Sequence, residues 1–236
     1  MPSIRVSPEK VKIRTWEVVR FSALYLLGFA FIEHRQVRPY IIHTRWDDMI
    51  PFCEYFIIPY LLWFAFIAVC LIWFGMFQSS QREYQALSRN LAFGCTVFLI
   101  ISVIFPNGQH LRPVLAGDNV FQQMVLLLYR TDTCTNVFPS VHVFNSVACC
   151  SAVLRNHFLR SRRVVAVSTV VLTVSIILAT VFLKQHTVVD VFGALLLNAI
   201  SDRLFYQKEG AQIGAPAWNR RLGVAGSYSG PNYRLR

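Results

Sequence analysis

The sequence predicts an all-α fold, a polytopic membrane helix bundle of six transmembrane helices with a short interfacial helix before the fourth. Three observations predict it. Hydrophobic residues make up 55% of the 236 positions, and the mean hydropathy is +0.45. Charged residues reach only 15%, against roughly 25% in an average soluble domain, so the chain lacks a polar coat and lipid is expected to cover its apolar surface. Two stretches, Tyr55–Phe77 and Val164–Leu183, contain no charge at all, and each is long enough for the roughly 20 residues that a spanning helix needs.

The remaining elements follow in order. Val18–Ile32 is apolar apart from Arg20 and reads as the first span. Tyr55–Phe77 is the second. Leu91–Phe105 is the third, stopped by the breaker run Pro106-Asn107-Gly108. Asn119–Tyr129 is apolar-rich but too short to cross, and is expected to be an interfacial or re-entrant helix. Val141–Leu154 is the fourth span and Val164–Leu183 the fifth. Val188–Ile200 is the sixth. The fourth and sixth carry polar residues, His142 and Asn145 in one, Asp190 and Asn198 in the other. The first 206 residues thus form one membrane domain. Residues 207–236, rich in Gly, Arg, Tyr and Ser, read as a basic cytoplasmic tail that is disordered or lies on the membrane surface. No cleaved signal peptide is expected, because no short apolar core with a small-residue cleavage site opens the chain.

The net charge of +11 is a topology signal in such a chain rather than a sign of nucleic-acid binding. Sixteen Lys and Arg fall in the N-terminal segment, the second and fourth connections and the C-terminal end; six fall in the first, third and fifth connections. Both termini are therefore expected in the cytoplasm, and the odd-numbered connections outside or in a lumen. Of the six cysteines, Cys70, Cys95, Cys149 and Cys150 sit in apolar stretches, where a free thiol packs as a small hydrophobe. Cys53 and Cys134 lie in outward connections, where a disulfide is one open alternative. No cysteine spacing suggests zinc.

Three polar segments converge on the outer face. They are Phe105-Pro-Asn-Gly-Gln-His-Leu-Arg-Pro113, Phe138-Pro-Ser-Val-His142 and Lys184-Gln-His-Thr-Val-Val-Asp190. The 44 positions from His142 to His186 allow one crossing, a short basic loop and one crossing back. His186 and Asp190, four apart at a helix start, share one helical face. A carboxylate beside an imidazole fixes its tautomer and raises its basicity, and a carboxylate in a membrane segment is expected to serve function. Arg112 offers a planar cationic fork for phosphate. Ser140, just before a helix, can combine its hydroxyl with free backbone N–H groups that favour anions. His34, His43, His110 and His157 read as ordinary interfacial residues, Asn107 and Gln109 as turn formers, and Asp47 and Asp48 as helix-capping groups near the outer surface.

In order and spacing, Arg112-Pro113, Pro139-Ser140-Val141-His142 and His186-Thr-Val-Val-Asp190 resemble the motifs of the type 2 phosphatidate phosphatase superfamily. The likeness is nearest to the branch of inositol phosphorylceramide synthases and related bacterial lipid phosphatases. The match runs from about residue 105 to 200, with the catalytic motifs in 105–190, and the hydropathy pattern extends it over most of the chain except the tail. The pattern departs at three places: Phe105 stands where the family has a Lys, Thr180 where it has an Arg, and Val141 where glycine is usual. Lys184 and Gln109 are candidates to replace the missing phosphate contacts. The resemblance implies a metal-free, cofactor-free reaction on a lipid phosphate, with His186 as nucleophile, Asp190 orienting it, His142 as acid and then base, and Arg112, Ser140 and Lys184 holding the phosphate. It implies a lipid phosphatase, or a phosphotransferase that passes a headgroup to a lipid hydroxyl. A non-catalytic membrane protein that keeps the fold is the third reading.

Overall fold

The fold comes from a computed structural model that describes residues 6–78 and 80–206. The expected C-terminal tail lies outside the described residues. The helices are α1 (Pro8–Glu33), α2 (Arg45–Met49), α3 (Ile57–Ile72), α4 (Gln81–Ile104), α5 (Val120–Thr131), α6 (Val141–Arg155), α7 (His157–Ser161), α8 (Arg163–Phe182) and α9 (Val188–Tyr206). A 3₁₀ turn, Glu54–Phe56, leads into α3, and a π turn, Trp73–Phe77, ends it.

Two helices begin about ten residues before their apolar stretches. Helix α1 starts with Pro8 in its first turn, where the missing N–H has no partner to lose. Its early polar turns are held by Arg14, only 2% exposed. Arg14 donates to the carbonyls of Phe74, Gly75 and Gln78 at 3.1, 3.1 and 2.8 Å, pairing carbonyls that the end of α3 would leave bare. The residue read as an orientation charge is thus a buried clamp. Helix α4 starts after Ser80, whose hydroxyl accepts the N–H of Glu83 at 3.3 Å, the usual work of an N-cap serine.

Among the described residues, four elements are long and apolar enough to cross a membrane: α1, the unit Glu54–Phe77, α4 and α8. Leu24, Leu27 and Phe31 on α1 are 61%, 70% and 63% exposed, a surface that suits lipid. The chain is a helical membrane protein. Hydropathy also pointed to α6 and α9 as spans. Helix α6 has 15 residues, about 22 Å at 1.5 Å per residue, against a hydrocarbon core of about 30 Å. Helix α9 has 19 residues, but Asp190, Asn198 and Asp202 interrupt its apolar run.

Helix α6 is the centre of the bundle, packed against α3, α4, α8 and α9. Small residues let neighbours approach it: Ala148, Cys149 and Ala152 are buried there beside Phe144. On α4, a Cβ at Gly94 would lie 2.1 Å from the Phe144 ring, so only glycine fits at this crossing. All six cysteines are free, Cys53 and Cys134 included.

The end of the bundle that carries the three polar segments is tied by a short parallel pair, Tyr40–Ile41 with Asn107–Gly108, and by a bridge from Gly108 to Thr135. The run read as a helix breaker therefore also forms a strand.

Candidate active site

The site is built on the five residues between α8 and α9. Helix α8 closes with a Schellman turn: Gln185 N–H donates to the Thr180 carbonyl at 3.0 Å and Lys184 N–H to that of Val181 at 3.1 Å. Lys184 takes the left-handed position, with φ of 54°. Helix α9 opens at once with a capping box. Thr187 N–H donates to Asp190 Oδ2 at 2.7 Å, and Asp190 N–H to Thr187 Oγ1 at 3.2 Å. His186 sits between the two motifs, on a backbone fixed from both sides. Its Nδ1 is 3.5 Å from Asp190 Oδ2. Asp190 is fully buried, and its Oδ1 has no partner among the described residues.

His142 reaches the same place from α6. Ser140 caps α6 through its hydroxyl, which accepts Val143 N–H at 3.4 Å, while its own N–H donates to the Asp190 carbonyl at 3.2 Å. The starts of α6 and α9 are therefore joined. On α9, a Cβ at Gly193 would lie 2.4 Å from the Phe138 ring, so glycine is needed for that approach. The His142 ring lies on Tyr60, with centroids 4.7 Å apart, and against Trp63 at 4.3 Å. The centroids of His142 and His186 are 5.7 Å apart. One phosphate group can touch both rings across that gap.

The segment 105–113 is a latch. Asn107, fully buried, accepts the N–H groups of Val137 and Phe138 at 2.9 and 2.8 Å and donates to the Phe105 carbonyl. Gln109, also buried, donates to the Lys184 carbonyl at 2.8 Å. Arg112 donates to the carbonyls of Tyr129 and Thr133 and to Gln185 Oε1, the last at 2.6 Å. Its guanidinium covers the Tyr129 ring at 4.5 Å. The three polar segments are thus bonded to one another. Asn107 and Gln109, read as turn formers, do most of that joining; Gln109 spends one amide N–H on the Lys184 carbonyl and accepts Leu111 N–H with its Oε1.

Not every expected phosphate ligand faces the histidines. The Lys184 ammonium donates to the carbonyls of Asp47 and Ile50. Burial holds it below its ordinary pKa, opposed by the charges of Asp47 and Asp48. The left-handed backbone at Lys184 aims the side chain at α2. Asp47 completes this contact by accepting Val188 N–H at 2.7 Å, while also closing the capping box of α2 with Thr44. The Ser140 oxygen accepts Val143 N–H at its cap, which leaves its O–H as the group it can offer a phosphate. Phe105 packs on Tyr40, and Thr180 is fully buried with its hydroxyl bonded to Ile177. No cation stands at either of those two positions.

Both histidines line a cavity of about 530 Å³. Its walls are mainly apolar, from Leu26 and Phe29 on α1, Phe64 on α3, and Met124 and Leu127 on α5. Leu26, Phe64 and Leu127 are 62%, 58% and 62% exposed, so the cavity opens on the apolar flank of the bundle. No Lys or Arg lies on its wall among the described residues. Gln185 does, and its Nε2 is a buried donor without a partner among the described residues, as is Arg112 Nε just behind it.

Three wall residues were not singled out from the sequence. Tyr60 and Trp63, three apart on α3, form the face against His142; that spacing was the available signal. Asp132 accepts the Tyr60 hydroxyl at 3.1 Å. Burial raises its pKa, opposed by the charge of His186, the Tyr60 hydrogen bond and Arg112. Its signal was a polar run, Arg130-Thr131-Asp132-Thr133, directly after an amphipathic helix. No protein-family model, no curated protein and no solved structure matches the chain.

Proposed function

We propose that the chain is an integral membrane lipid phosphatase that works through a phosphohistidine. The observation that carries this reading is the pair of imidazoles, 5.7 Å apart, with Asp190 behind one of them, at the polar end of an apolar cavity that opens toward lipid. An acyl chain suits the cavity and a phosphate suits the gap between the rings.

In this scheme His186 Nε2 attacks phosphorus, because Nδ1 faces Asp190. The bond from phosphorus to the leaving oxygen breaks, and His142 in its protonated form gives that oxygen its proton. Water then attacks the phosphohistidine, His142 takes the proton from water, and the P–N bond breaks to release phosphate. Asp190 stabilises positive charge on His186. Gln185 Nε2 and Arg112, with unpaired donors beside the site, balance charge on the phosphoryl oxygens. Six spans, with both termini cytoplasmic and the site outward, is the topology that goes with this reading.

A second reading is a phosphotransferase that uses a lipid hydroxyl in place of water. One observation favours it. The cavity wall carries Asp132 and no Lys or Arg among the described residues, a setting easier for the single charge of a phosphodiester than for a dianionic monoester. Turnover in detergent across monoester and diester lipids, with His186→Ala and Arg112→Ala beside the wild type, tests both. Free phosphate from a monoester, lost in His186→Ala, supports hydrolysis. A new phospholipid formed from a diester supports transfer. Activity untouched by His186→Ala on every substrate refutes both.

A further inference from the structure

A second cavity, of about 450 Å³, lies next to the first, between α1, α3, α4 and α6. The two share Tyr25 and Trp63 as a common wall. Much of its lining is apolar, including Phe21, Ile67, Leu71 and Leu91. Asn145, one turn beyond His142 on α6, also lines it.

Asn145 is only 6% exposed, and its Oδ1 has no partner among the described residues. Its amide nitrogen reaches only the Cys95 sulfur, at 3.9 Å. The Trp63 indole N–H, on the shared wall, is also without a partner among the described residues. Acyl chains can satisfy neither group, and a bare polar group at this depth is costly. A hydroxyl can donate to the carboxamide oxygen, and the indole N–H on the shared wall is a further polar group that a hydroxyl, unlike an acyl chain, can meet. The rim carries both signs of charge, Glu17 with Arg20 and Arg89, and so does not call for an ion.

We infer that this cavity is a second ligand site, which takes a neutral single-chain lipid through one hydroxyl group bonded at Asn145, with the chain along the α1–α4 wall. Because Trp63 also packs on His142, an occupant of this site touches the wall of the histidine cavity without entering it. Labelling of the site requires no turnover, so it stands or falls apart from the chemistry proposed for His186.

The test is photolabelling of the protein in phospholipid nanodiscs with a long-chain alcohol that carries a diazirine on its chain, followed by peptide mapping. Labels are expected on the cavity faces of α1 and α4, near Phe21 and Ala92. Hexadecan-1-ol should compete, and hexadecane should not. Asn145→Leu should weaken the competition by hexadecan-1-ol about tenfold, the scale of one lost hydrogen bond. Should that variant fail to fold, Ala92→Phe, which narrows the apolar part, decides: labelling must fall. Equal competition by hexadecane, unchanged competition in Asn145→Leu, persistent labelling in Ala92→Phe, or no label on these faces in the wild type overturns the inference.

Discussion

Replacing Asn107 with Ala removes the residue that holds the first polar segment to the second. Its Oδ1 accepts two backbone N–H groups, those of Val137 and Phe138, at 2.9 and 2.8 Å, in a fully buried position. The variant leaves both donors bare. Each buried unpaired donor costs about 1–3 kcal/mol; after partial relaxation the pair should amount to about 3 kcal/mol. A domain of this size loses about 2–4 °C of Tm per kcal/mol, so a fall of about 6–12 °C is expected in thermal unfolding in detergent. Activity should fall in Asn107→Ala at temperatures where the protein is still folded, because the backbone of 137 and 138 leads directly into Ser140 and His142. A melting point within about 2 °C of the wild type would refute the latch, since even one bare donor exceeds that on this scale.

Lys184→Met tests the place of that side chain. Its ammonium serves the Asp47 and Ile50 carbonyls, so the variant should lose about 2 kcal/mol of stability while KM for the lipid phosphate stays close to that of the wild type; a large rise in KM with unchanged stability would return Lys184 to the phosphate. Asp132→Asn tests the half-buried carboxyl. Its folded-state pKa is raised, so folding takes up a proton and the native state is favoured at low pH. That contribution is present below the unfolded value of about 3.9 and is lost as pH rises through the folded value. Asparagine does not titrate, so the melting point of the variant should gain on the wild type as pH rises from about 4 and then level off; a gap that stays constant with pH, or closes, would contradict the shift.

What the sequence made legible was the local chemistry. His186 and Asp190 lie one turn apart on a helix start, and helices α6 and α8 between His142 and His186, one leading away and one returning, bring those rings to one end of the bundle. Both facts depend on spacing along the chain, which hydropathy and helical period report directly. What stayed hidden depends on partners distant in sequence. Lys184 looked like a phosphate ligand because it is a cation two residues from a histidine; only the left-handed turn turns it to a carbonyl pair 134 and 137 positions away. Arg14 looked like a cytoplasmic charge until the π turn of α3 was seen to need its guanidinium. Tyr60 and Asp132 meet across 72 positions, and neither stands in a motif. The early starts of α1 and α4 escaped because apolar runs mark the lipid-facing length of a helix and not its polar first turns.

The most direct test of the central claim is to trap the phosphoenzyme. Purified protein is mixed briefly with a lipid monoester labelled in its phosphate, quenched, and the label mapped by peptide. The expected result is a phosphoryl group on His186, labile in acid and stable in base, absent in His186→Ala and slow to form in His142→Ala, where proton transfer to the leaving group is lost at a cost of about 10²–10⁴-fold. Hydrolysis at the wild-type rate by His186→Ala, or label carried by any other residue, would contradict it.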